Sequence, residues 1–173
     1  MDSKMNRYND LHGLTVPDLL YRQAQRYPYQ LALSAHSYRG YRDRLTYKQL
    51  VIRMDNMARA LMARGVQPGN RVALFLSNDA VREAVLTAVG CYRMGAIVVP
   101  INTRGADDEL RYAFELVEPA YIVVPQSAVE RVRRTFPRAR LLIVGASPDE
   151  ADSWPDPQNT FQNIPLPPTG SAE

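Results

Sequence analysis

The sequence predicts an α/β domain built on a mostly parallel sheet with flanking helices. Three observations carry that expectation. First, Arg71 to Arg104 reads as two short apolar runs, residues 72–76 and 96–100, separated by a helix-period segment. In that segment Ala80, Val81, Ala84, Val85, Ala88, Val89 and Tyr92 recur at three- and four-residue steps. Second, neither run alternates apolar with polar residues, the pattern of parallel strands covered on both faces. Third, two similar runs, residues 121–124 and 141–144, follow with helical stretches between them. A parallel pair needs a crossover connection, and a helix is the usual one.

Taken in order, residues 1–14 are polar and read as a flexible N-terminus. Thr15 can cap a helix with Pro17 and Asp18 in its first turn, and Leu19, Leu20, Ala24 and Tyr27 supply its apolar stripe before Pro28 stops it. Residues 31–35 read as a strand, and a polar turn around Gly40 returns the chain through residues 44–47 as a hairpin. Thr46 and Gln49 form a capping-box pair for a second helix, with Leu50, Met54, Met57, Ala58 and Leu61 on one face and Gly65 beyond its end. A Pro-Gly turn then leads into Arg71. Asp107, Asp108 and Glu109 open the next helix, where acids favour the positive end of the dipole; consecutive positions cannot converge on a metal. Ser127 and Glu130 read as another capping box, for a helix ending near Phe136. From Gly145 onward six prolines and sparse apolar residues read as a Pro-rich acidic tail or linker, residues 145–173.

Composition narrows the function classes. The chain has 173 residues, 46% hydrophobic and 23% charged, the profile of one globular domain of residues 15–144 with its tails. No run approaches the ~18 apolar residues of a membrane helix. The first residues carry no leader-like apolar segment, and Cys91 is the single cysteine, so a disulfide framework is excluded and a cytoplasmic setting expected. Cys91 reads as a small core residue rather than a nucleophile. The net charge of +3 hides an asymmetry: residues 145–173 hold five acids and no base, leaving the first 144 at +8. Arg131, Arg133, Arg134, Arg138 and Arg140 cluster around one helix; a solvated helix face is the better reading, with anion binding the alternative. No nucleic-acid signature accompanies them.

Reaction chemistry is mostly missing from the residue patterns. There is no nucleophile elbow, no zinc-protease motif, no Cys/His metal spacing and no Gly-rich phosphate loop after a strand; His12 and His36 lie in polar segments without evident partners. What the residues do carry is an ordered set of blocks: LTYKQL at 45–50, ARGVQPGNRVAL at 63–74, and YRMGAIVVPINTRGADDELRYAFE at 92–115. Together they resemble the start of AMP-forming acyl-CoA synthetases, of the adenylate-forming superfamily. The core of the last block is Gly95, Ala96, Val99, Pro100, Asn102 and Arg104. Asn rather than Asp at 102 resembles the CoA ligases more than peptide-synthetase adenylation domains.

The resemblance implies the fold of part of the large N-terminal domain of these enzymes. For a complete enzyme it implies activation of a carboxylic acid by ATP to an acyl-adenylate, then transfer to CoA, with ATP, Mg2+ and CoA as cofactors. The family's phosphate loop, its magnesium-holding Glu and its C-terminal Lys have no counterpart here, so the chain is expected to be an inactive fragment that binds none of these alone. No catalytic or metal residue is assigned. A substrate-pocket wall is expected at Ser77 and Asn78 after one strand and at Asn102 and Arg104 after the next, because α/β sheets hold ligands beyond strand C-termini. Local roles are also open to these residues: Asn78 as helix N-cap, Asn102 as turn former, Arg104 as ion-pair partner of the acidic helix start. Expected partners are the remainder of the ligase and the carboxylic acid, with self-association possible. The alternative function is a non-catalytic binding or assembly module derived from the same family.

Overall fold

The computed structural model describes residues 13–158 and 164–169. Four short strands, β3 (Arg71–Leu74), β4 (Ile97–Pro100), β5 (Tyr121–Pro125) and β6 (Leu141–Val144), form an all-parallel sheet in the spatial order β4-β3-β5-β6. Val72 lies opposite both Val98 and Tyr121, and Leu74 opposite Pro100 and Val123. The N-terminal third adds helix α1 (Val16–Arg26), an antiparallel hairpin of β1 (Leu31–His36) and β2 (Arg42–Thr46), and the long helix α2 (Tyr47–Ala63). Helices α3 (Val81–Met94), α4 (Asp107–Val117) and α5 (Val129–Thr135) supply the connections between the parallel strands.

The sheet is covered on both faces, which explains why its strands do not alternate. Val72, Leu74, Val123 and Leu142 face Met54, Met57 and Leu61 of α2 and Leu86 and Met94 of α3. Ala73, Ile122, Val124 and Ile143 face Leu110 and Phe114 of α4 and Val132 of α5. Strand β4 is the exception. Among the described residues it pairs only with β3, and Ile97 remains 50% exposed at the sheet edge.

Local chemistry fixes the helix ends. Thr15 accepts the Asp18 amide while the Asp18 carboxylate accepts the Thr15 N–H at 2.9 Å, and Thr46 with Gln49 repeats the arrangement at α2. Gly95 closes α3 with φ of 79°, a left-handed conformation in which its N–H reaches the carbonyls of Cys91 and Tyr92. The expected Ser127 box does not form. A short 3-10 turn, Gln126–Ala128, precedes α5, and no side chain caps either element.

Two apolar stripes differ from those expected. On α1, Leu19 is exposed and Tyr21 takes its place beside Leu20 and Ala24 against the core. On α3, Val81 and Tyr92 face outward, whereas Arg82, Glu83 and Thr87 are buried with Leu86, Cys91 and Met94. α3 is enclosed on several sides, so its buried surface is not a single apolar stripe.

The segment after β6 is tied down over much of its length. Ile143 donates to Asp152 O at 2.7 Å and accepts from Trp154 N at 2.9 Å, so residues around Ser153 extend the sheet beyond β6. Trp154 is 8% exposed, and its indole N–H donates to Thr87 Oγ1 at 2.9 Å. Side chains of α2 and α3 then hold successive carbonyls: Asn56 that of Pro157 at 3.0 Å, Arg59 that of Ile164 at 3.1 Å, and Arg93 that of Pro167 at 2.7 Å. Polar composition alone suggested a looser strand of chain. The anchoring comes from donors on the helices, which the tail's own sequence does not display.

Candidate functional site

The parallel sheet brings the four predicted pocket residues to one end. Ser77 and Asn78 follow β3, Asn102 and Arg104 follow β4, and the two strands are direct neighbours. All four are exposed on the rim at the strand C-termini. Their contacts are local. Ser77 Oγ donates to Asp79, and the Arg104 N–H donates to Asn102 Oδ1 at 3.0 Å, an Asx turn. Asn78 does not cap α3: it lies in a 3-10 turn, Asn78–Ala80, and the helix starts only at Val81. Nor does Arg104 pair with the acidic start of α4.

That pairing is made by Arg131. Its Nε donates to Asp107 Oδ1 at 2.8 Å, its Nη1 to Thr103 O at 3.0 Å, and its Nη2 to Gly105 O. Arg134 adds a bond to Asp107 Oδ2 at 3.0 Å. The two guanidiniums, Arg131 first, hold the Asp107 carboxyl below its usual range. Arg131 therefore fastens the loop beyond β4 to α5 and fixes the rim from below. Arg140 is also engaged, lying over the Tyr121 ring at 4.3 Å and donating to Arg64 O at 3.2 Å. Arg133, Arg134 and Arg138 remain exposed, as a solvated helix face requires.

A second constellation, absent from the sequence reading, sits at the start of α3. Arg82 has a side chain only 1% exposed. Its Nε donates to Asp43 Oδ2 at 2.7 Å, its Nη1 to Glu83 Oε1 at 3.2 Å, and its Nη2 to both Asp156 oxygens at 3.1 and 3.2 Å. The guanidinium also lies 5.6 Å from the centre of the Trp154 ring. Burial alone would lower its pKa, but the bonds to Asp43 and the charge of Asp156 outweigh it and raise the pKa further. Glu83 accepts from Ser37 Oγ at 2.6 Å and from Tyr38 N at 3.1 Å, while Arg53 shares Asp43 at 2.9 Å. One buried residue pair thus joins hairpin, helix and tail. Two signals for it exist in the chain: an Arg-Glu pair inside an apolar helix, and the single tryptophan set in a polar tail.

A similar tie lies at the other end of α3. Arg93 donates to Tyr21 Oη at 2.9 Å and to Asp55 Oδ1 at 3.0 Å, and Tyr21 donates to Asp55. Burial first, then the bond to Asp55, pushes the Tyr21 hydroxyl up to about 12, so it stays a donor.

These groups hold structure rather than perform a reaction. The carboxylates around Arg82 are neutralised by arginines and are not free to ligate a divalent cation. Asp107 is held by Arg131, Asp108 by Arg111 at 2.7 Å, and the Glu109 carboxylate by the Ala106 N–H at 2.9 Å. Among the described residues no group of three or more His, Cys, Asp or Glu side chains converges on a metal position. The residues present therefore do not fit a Mg2+ centre. Burial pushes the Cys91 thiol up to about 12, which keeps it protonated and inert. His36 is exposed at the end of β1, and His12 lies outside the described residues. No helix of the described residues is long and apolar enough to cross a membrane.

Comparison with known proteins places these features in context. A family model described as AMP-binding enzyme matches residues 20–169. A medium/long-chain-fatty-acid–CoA/3-oxocholest-4-en-26-oate–CoA ligase of Mycobacterium tuberculosis is 33% identical over 95 residues, 55% of this chain and 17% of that enzyme. The N-(5-amino-5-carboxypentanoyl)-L-cysteinyl-D-valine synthase of Penicillium rubens is 31% identical over 127 residues, 70% of this chain and 3% of that protein. Among solved structures, ATP-bound MatB from Rhodopseudomonas palustris superimposes with a TM-score of 0.60 at 26% identity, covering 76% of this chain and 25% of that one. The chain spans about a fifth or less of the length of the curated relatives it matches.

Proposed function

The chain belongs to the AMP-binding enzyme family, and from that premise we propose that it serves as the N-terminal part of the large domain of an ATP-dependent acyl- or aryl-CoA ligase. The observation that carries this reading is the family match across residues 20–169, with the fold of the N-terminal domain of such enzymes. In the complete ligase a carboxylic acid is activated as its acyl-adenylate and passed to CoA in the cytoplasm. This segment positions the rim at Ser77, Asn78, Asn102 and Arg104 as part of the wall of the acid pocket. ATP, Mg2+ and CoA are held by other parts of the enzyme.

The preference for a CoA ligase over a peptide-synthetase domain rests on the ligases among the relatives and on Asn102. The contact of Asn102 is not itself selective: Oδ1 accepts the Arg104 N–H, which an aspartate would do equally well. Carboxylate-dependent ATP–pyrophosphate exchange tests the reading. The 173-residue chain alone, given a panel of fatty and aromatic acids, is expected to show no exchange above background; sustained exchange would overturn the inactive-segment claim.

One observation favours assembly as a second role. Among the described residues the outer side of edge strand β4 is unpaired, and Ile97, Tyr112 and Leu116 are 50%, 68% and 71% exposed. An open edge and uncovered apolar side chains invite pairing with another chain. Sedimentation across a concentration series decides this: a monomer at every concentration argues against it.

A further inference from the structure

We propose that the cavity enclosed by the β1–β2 turn, the end of α2 and the tail binds a small phosphate-class oxyanion between the guanidinium groups of Arg39 and Arg64. The cavity has a volume of about 290 Å³, and its lining includes Arg39, Arg64, Ser153, Trp154, Asp156 and Gln158. Its lining contains none of the residues assigned to the acid pocket.

Arg64 is the motive. Arg53, Arg82, Arg93 and Arg131, whose side chains are also largely covered, each meet a carboxylate, while the half-buried Arg59 meets Ile164 O through its Nε and Asn56 Oδ1 through its Nη1. Arg64 is half-buried yet has no carboxylate partner among the described residues. Its Nη1 and Nη2 reach only the carbonyls of Ala60 and Ser153, each at 3.2 Å, and its Nε is buried with no acceptor. Burial lowers its pKa, the direction expected when a cation loses water without gaining an opposing charge. Arg39 supplies the second charge. Its backbone is fixed by a bond from its N–H to Ser37 Oγ at 3.3 Å, while its exposed side chain has no ion pair among the described residues.

The carboxylate in the cavity does not satisfy either group. Asp156 is engaged by Arg82 through both oxygens. Arg39 and Arg64 line the same cavity, and guanidinium groups carry N–H donors in planar forks, which suit a tetrahedral oxyanion better than a single point charge does. A bound anion would supply the counter-charge that Arg64 lacks. It would also link the hairpin turn to the tail.

The test is titration of the 173-residue chain with inorganic phosphate and with inorganic pyrophosphate, by calorimetry at low chloride. Saturable one-to-one binding is expected with at least one of them. Arg39→Gln should weaken it by about fivefold or more, since a charge-assisted bond is lost. Arg133→Gln, at an exposed arginine that does not line the cavity, should leave it unchanged. Arg64→Gln should abolish it, with thermal melting as the check on folding because Arg64 also holds Ser153. Arg39 carries the decision, since its side chain makes no hydrogen bond or ion pair among the described residues. Absence of saturable binding, equal affinity in Arg39→Gln, or equal weakening by Arg133→Gln would each overturn the site. Pyrophosphate exchange bears only on the ligase reading, so the two proposals fail separately.

Discussion

Arg82 shows why a charged residue belongs inside this fold. Its guanidinium meets three carboxylates, and removing it would leave Glu83 and Asp156 without the guanidinium they share and Asp43 with Arg53 alone. Breaking one side of a buried ion pair typically costs ~3–5 kcal/mol. Arg82→Ala should therefore lower the free energy of unfolding by about that amount in a urea titration; a change within about 0.5 kcal/mol would mean the network is not closed in solution. Asp107 is a milder case with a pH signature. Its folded pKa lies below its usual 3.8 because of Arg131 and Arg134, so its contribution is whole above that value and is lost as pH falls through the folded pKa. The melting temperature of Asp107→Asn should sit below that of the parent chain by a constant amount at neutral and mildly acidic pH. The gap should close below roughly pH 4. A gap that persists undiminished at pH 2 would contradict the assignment. Neither residue could have been recognised from periodicity. The partners of Arg82 lie 39 and 74 positions away, and an apolar-stripe count treats a buried arginine as an exposed one.

Elements with local causes were readable. The caps at Thr15 and Thr46 and the left-handed Gly65, with φ of 83°, depend on neighbours within four residues, and each takes its expected form. The box at Ser127 failed because a 3-10 turn carries the chain into α5 and moves the helix start past the serine. The packing of α2 on α3 depends on a residue whose role was invisible in sequence, Gly90. A Cβ built there would lie 2.4 Å from Met57 Cγ, 2.7 Å from Met57 Cβ and 3.2 Å from the Ala58 backbone nitrogen. In an isolated helix, alanine would be favoured over glycine by ~1 kcal/mol. Here the obstacle is a neighbouring backbone and a Cβ, which do not swing aside, and overpacking of that kind costs ~1–3 kcal/mol. Gly90→Ala should thus be destabilising by about 1 kcal/mol or more. A raised denaturation midpoint would show that the two helices sit further apart.

At the scale of the molecule, the parallel sheet and its two helical layers were legible because burial on both faces writes itself into unbroken apolar strands. The tail was not, since Asn56, Arg59, Arg64 and Arg93 hold its carbonyls from another part of the chain, and backbone carbonyls leave no trace in composition. Ser77, Asn78, Asn102 and Arg104 lie beyond the ends of β3 and β4, and the side-chain hydrogen bonds of Ser77 and Asn102 stay within their own turns. If this segment is scaffold of an adenylating domain, as proposed, it should be interchangeable with its counterpart in a related ligase. Carboxylate-dependent ATP–pyrophosphate exchange by a chimera tests it most directly, with residues 15–144 replacing the matching segment of the Mycobacterium tuberculosis ligase. The account predicts a soluble, monodisperse chimera that exchanges pyrophosphate when given a carboxylic acid. A well-folded chimera that binds ATP but shows no acid-dependent exchange would contradict it.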